Sequence, residues 1–169
     1  MSATQPSDWI DAIESVAVAA IQSVEPFKVA KVFYEANVVV GPDECCKGVL
    51  VLDAATWNAT GEWPRPRDPS GPSDPCGGAA VLNITLKYAS CVSTLNGQGK
   101  MPPAPLRKSQ QMTMLDLGWT TWLALLTAER TTWRRNVGTA RIGIATRLPP
   151  SGGCDGFTIM IQTKLGVCT

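Results

Sequence analysis

KSQQMTMLDLGWTTWLALLTAER, residues 108–130, is the stretch around which the rest of the chain is organised. Met112, Leu115, Trp119, Trp122, Leu123 and Leu126 recur at spacings of three and four, which places them on one face of a helix. Ser109 is the expected N-cap, and Glu129-Arg130 ends the run. A helix over 109–130 is about 33 Å long, the width of a small domain. Gly118 lies in its interior and costs about 1 kcal/mol relative to alanine, bearable where another backbone packs closely against it. The expectation for Trp119 and Trp122 is core packing, with a contact between subunits as the sharper reading and a ligand platform as a third.

Upstream, residues 7–24 read as a first helix. Trp9, Ile13, Val16, Ala17, Ala20, Ile21 and Val24 share a face, Ser7 or Asp8 caps it, and Pro26 closes it. Residues 27–40 have no clear period. Residues 48–53, GVLVLD, form a short apolar strand expected near the sheet centre. Residues 57–78, WNATGEWPRPRDPSGPSDPCGG, carry five prolines and four glycines, so neither helix nor inner strand is expected there. Trp57 and Trp63 make that stretch a candidate assembly arm lying on a neighbouring subunit. Residues 79–90, AAVLNITLKYAS, alternate as a half-buried strand, and residues 92–107 form a second Gly/Pro loop carrying Lys100.

Downstream, Trp133 stands among Arg130, Arg134, Arg135, Arg141 and Arg147. That interleaving suits a solvated face, a protein interface or nucleic acid contact. In 140–148, Ala140, Ile142, Ile144, Thr146 and Leu148 are expected on one side of a strand, and Arg141, Gly143, Ala145 and Arg147 on the other. Residues 157–167 alternate again, and a short loop predicts antiparallel pairing of the two. The sum is an α+β domain spanning residues 1–169, with about four mainly antiparallel strands, two helices packed on one face and long Gly/Pro loops.

Composition narrows the chemistry. The chain has 169 residues, a net charge of +1 and no histidine. Histidine-based triads, metal ligands and imidazole acid–base steps are therefore absent. Charge is divided unevenly: residues 1–80 hold 5 Lys/Arg against 11 Asp/Glu, and residues 81–169 hold 10 against 3. Such a division suits two halves that fold against each other, or a subunit with oppositely charged faces that binds copies of itself. The six cysteines (Cys45, Cys46, Cys76, Cys91, Cys154 and Cys168) include no C-x-x-C pair, and no basic leader or membrane-length apolar run is visible. Reduced thiols made in a cytosol are the expectation, with later disulfides allowed. A thiol enzyme would centre on Cys45 or Cys46, but Asp43 and Glu44 beside them raise a thiol pKa, the wrong direction for a nucleophile. No catalytic, cofactor or metal residue is assigned, and no enzyme activity is expected.

The order of SDWIDAIESVAVAAI, CCKGVLVLD, the WPRPRDPSGPSDPCG loop, AAVLNITLKYASC, the long helix and a closing strand pair, over residues 7–168, resembles the tail terminator proteins of long-tailed bacteriophages, especially those of actinobacterial phages. The resemblance implies a structural virion protein in the neck, assembled in the host cytoplasm. It forms a homo-oligomeric, hexameric ring at the head-proximal end of the tail tube, stops tube growth and joins the tail to the head-side connector. Tail tube protein lies below it, the connector or stopper above, and genome DNA passes through the lumen without sequence-specific binding. No membrane and no cofactor are implied. Lys87, Arg141 and Arg147 are candidates for the lumen because they fall on polar strand faces. The alternatives are a head-side stopper or other neck protein, a tail tube subunit and, in other classes, a DNA-binding module or the small thiol enzyme.

Overall fold

The computed structural model describes residues 5–25, 29, 31–34, 47–60, 79–92, 100–151 and 153–165, with backbone alone for 55, 57–60, 79 and 149–151. Two helices and five strands follow in the order α1 (Pro6–Val24), β1 (Lys31–Phe33), β2 (Val49–Thr60), β3 (Ala79–Cys91), α2 (Ala104–Ala128), β4 (Ala140–Ser151) and β5 (Cys154–Leu165). The strands make one sheet in the order β1-β2-β3-β5-β4. Every pairing is antiparallel except β1 with β2. The fold is thus the α+β class read from the sequence, with one strand more than the four expected.

β3 and β5 are the centre of the sheet. Their register runs unbroken from Ala80↔Leu165 to Cys91↔Cys154. Leu82, Ile84, Leu86 and Tyr88 on β3 and Phe157, Ile159 and Ile161 on β5 are buried on the side the helices cover. The alternate side carries Asn83, Thr85 and Lys87, half-buried, with exposed Met160 and Lys164. There the Gln162 side-chain amide donates to Asn83 Oδ1 at 3.1 Å.

α1 begins one residue earlier than expected. Pro6 occupies its first turn, and the Gln5 N–H donates to the Asp8 carboxylate at 2.8 Å. Trp9, Ile13, Ala17, Ala20 and Ile21 are buried, the face expected from their spacing. α2 begins at Ala104, five residues before the expected cap, because Pro105 in its first turn has the φ a helix start needs. At the other end, one π-helical turn, Glu129–Trp133, follows Ala128 directly. Its extra residue shifts the helical phase and the turn buries Trp133, whose ring meets Trp9 edge-on at a centroid distance of 5.6 Å. The chain leaves through Gly138, whose positive φ and closeness to the Trp9 ring both favour glycine.

Two expectations change, and others fall outside the described residues. β2 runs on to Thr60, so Trp57 is a strand residue in register with Leu82 and not part of a loop; a bulge between Asp53 and Thr56 carries the strand past its apolar half. The proposed arm beyond it, 61–78 with Trp63, lies outside the described residues, as do Cys45, Cys46, Asp43 and Glu44. Cys91 and Cys154 are both disulfide-bonded, not reduced.

Candidate functional site

The largest departure from the expected pattern is on α2. The face that packs on the sheet and α1 is Met114, Leu117, Gly118, Thr121, Leu125 and Ala128. A second apolar face, Met112, Leu115, Trp119 and Leu123, is exposed, with Trp119 at 61%. The core role expected for Trp119 is therefore wrong, and Trp122 is only half-buried. On the packed face the small Gly118 and Thr121, set among Met114, Leu117 and Leu125, let α2 approach the sheet closely. Gly118 lies against the Phe157 ring, which an added Cβ would meet at 3.5 Å. The backbone expected there is replaced by this ring.

β4 completes the site. Its register with β5 slips between Ile142 and Ala145, where three steps on β4 match two on β5. The extra residue reverses the alternation beyond it. Ile144 is thrown outward and is 81% exposed, while Ala145 packs against the core. The bulge is pinned from above, since the Trp122 indole N–H donates to the Gly143 carbonyl at 2.8 Å. Trp119 and Trp122 lie ring against ring at 5.3 Å. Between α2 and β4 a groove of about 320 Å³ opens, walled by Leu115, Trp119, Trp122, Ile144 and Phe157.

The same bulge moves Arg147. Expected on the polar face with Arg141, it instead stands in register with Phe157 on the helix side, at the edge of the groove. Its guanidinium binds the buried Asp155 carboxylate through two nitrogens, Nε at 3.3 Å and a closer Nη2 contact. This hydrogen bonding raises the Arg147 pKa, and Asp155 Oδ1 also accepts the Gly156 N–H at 2.8 Å. Arg147 is thus withdrawn from the lumen candidates. Arg141, exposed, and Lys87, half-buried, stay on the uncovered side of the sheet, in register with Gln162 and with Thr158 respectively.

The aromatic–arginine cluster is also taken apart. Trp133 is in the core, so it offers no stacking platform for a base. Arg134 pairs with the buried Glu129 at 2.8 Å. Arg130 and Arg135 remain exposed. Among the described residues there is no group of three or more metal-ligating side chains, and no helix is long and apolar enough to cross a membrane.

What remains is an exposed apolar ridge with a groove beside it. It contains no nucleophile–base pair, and its chemistry is that of a surface for another apolar surface. The outward face of α2 and the β4 bulge, neither marked by a sequence motif, separate this site from the sequence expectation. Known protein-family models give no match to the chain, and no curated protein matches it.

Proposed function

We propose that this chain is a structural subunit of a phage neck, a tail terminator that forms a ring at the head-proximal end of the tail tube. The observation that carries the reading is the ridge of Met112, Leu115, Trp119 and Leu123, exposed on a helix whose other side is already packed. Four large apolar side chains in one stripe favour burial by a partner. The sequence resemblance supplies the kind of partner: copies of the same chain in a hexameric ring, with tube protein on one side and the head-side connector on the other. Lys87 and Arg141, on the uncovered sheet side, are the residues proposed to line the path of the DNA. Disulfides at Cys91 and Cys154 are compatible with a particle that leaves the reducing cytosol.

Negative-stain electron microscopy across a concentration series, with solution mass and with purified tail tubes added, tests the reading. Closed rings of about six subunits with a central hole, seated on tube ends, are expected. Stacked tubes without rings would assign a tube subunit instead. Monomers that ignore tube ends would refute the proposal.

A further inference from the structure

Along α2 and into the π turn, Met112, Asp116, Trp119, Leu123, Leu126 and Arg130 follow one another at alternating steps of four and three. That spacing is the seam of a coiled coil, on which a second helix seats its side chains between these. None of the six belongs to the packed face; Leu126 is half-buried and the other five are exposed. On the α1 side the seam falls away into a shallow groove lined by Ser15, Ala19, Ala124 and Thr127, whose small side chains leave Leu123 standing clear.

The seam is balanced about Leu123. Asp116 lies seven residues before it and Arg130 seven after, about 10 Å in each direction along the axis. Neither makes an ion pair among the described residues.

We infer that two copies of this chain pack α2 against α2, antiparallel, about a two-fold axis through Leu123. In that register Leu123 meets its own counterpart, and Trp119 of each copy lies beside Leu126 of the other. Asp116 of each copy faces Arg130 of the other, once on either side of the axis. Charge fixes the register. Centring the pair on Trp119 would set Lys108 against Arg130, like against like. Moving the axis one turn to Leu123 replaces that repulsion with two opposite-charge pairs and carries Lys108 past the level of Asn136, where the helical run ends. A parallel pairing would set Asp116 on Asp116 and Arg130 on Arg130. The reversed seam is thus its own complement in charge, and this makes a second copy the occupant. The inference does not rest on the ring reading. A two-fold contact closes on two copies, so it belongs to the chain before it meets a tail tube, and the ridge is released when a ring forms.

Three variants test it: Trp119→Glu, Asp116→Lys and Arg130→Glu. All three positions are exposed, so circular dichroism should match the wild type. In sedimentation equilibrium the wild type should dimerise, and Trp119→Glu should weaken the dimer about 30-fold or more, as for a central aromatic anchor. Asp116→Lys and Arg130→Glu alone should each weaken it about 10-fold or more, because each sets like charges together twice. Mixed in equal amounts, these two regain both opposite-charge pairs, and their heterodimer should come within about 3-fold of the wild-type affinity. A wild type that stays monomeric at every concentration would overturn the inference, and so would a mixture that binds no tighter than its components. Dimers that never cap tail tubes would keep this contact and reject the neck reading. Rings on tubes from a chain that is monomeric when free would do the reverse.

Discussion

Gly118, against the Phe157 ring, and Gly156, just before Phe157 on β5, should respond oppositely to alanine. Gly118 is interior to a 25-residue helix, where glycine is about 0.8–1.0 kcal/mol worse than alanine. The new methyl would touch Phe157 Cδ1 and Cγ at 3.5 Å, an ordinary contact, and its backbone has no positive φ. Gly118→Ala should therefore stabilise the protein by about 1 kcal/mol, which in a chain of this size raises the melting temperature by about 2–4 °C. Gly156 is a different case. A Cβ there would lie 2.0 Å from the Tyr88 carbonyl oxygen and 3.0 Å from its carbon, both backbone atoms of the paired strand. Neither can move without opening the β3–β5 ladder, so Gly156→Ala should cost about 3 kcal/mol or more, the upper end of overpacking. Urea unfolding followed by circular dichroism measures both, with the slope against urea checked for constancy. A destabilised Gly118→Ala would mean that α2 lies closer to β5 than described. A fully tolerated Gly156→Ala would contradict the register that sets Gly156 beside Ala89.

The alkaline side of the stability profile should report Tyr88. Burial raises its hydroxyl to about 12, with the Glu25 charge adding to this and a hydrogen bond to Ser90 opposing it. Because the folded value exceeds the unfolded 10, its contribution is complete below pH 10 and fades as the pH climbs towards 12. Between pH 9 and 11 wild type should lose about 1.4 kcal/mol more than Tyr88→Phe, read as the difference in urea midpoints over that range. Equal slopes would mean that the ring is solvated in the native state. Trp122→Phe removes the bond to the Gly143 carbonyl, worth about 0.5–1.5 kcal/mol, and also trims the indole to a smaller ring, so its total cost should be at least that. Hydrogen exchange should quicken first around Ile144, and protection unchanged there would show that the indole does not hold the bulge.

How far the sequence reveals this fold depends on which signal each element uses. β3 and β5 are legible because each alternates strictly, and one face of each is buried throughout. α1 is legible because its apolar residues and its small residues lie on the same side. α2 carries two competing apolar stripes, and the one that bears Trp119 ends in solvent. Met112, Leu115, Trp119 and Leu123 face solvent, while Met114, Leu117 and Leu125, with the small Gly118, Thr121 and Ala128 between them, take the interior. What decides is interhelical and helix–sheet distance, which area does not encode: Gly118 against Phe157 brings the axis close, and Trp119 at that position would hold it away. The β4 alternation misleads for a related reason. One inserted residue at Gly143-Ile144 exchanges the faces of everything beyond it, turning Ile144 out and Arg147 towards Asp155. Trp133 ends a π turn, where a helical period counted from Trp119 no longer holds. These three misread sites are where α2 and β4 leave regular geometry or present apolar surface to solvent. A chain whose fold alone were under selection would gain by moving Trp119 inward or making it polar. Trp119, one of the two tryptophans of α2, stands outside over a groove that an irregular strand opens, which is why its surface was proposed above as one for a partner.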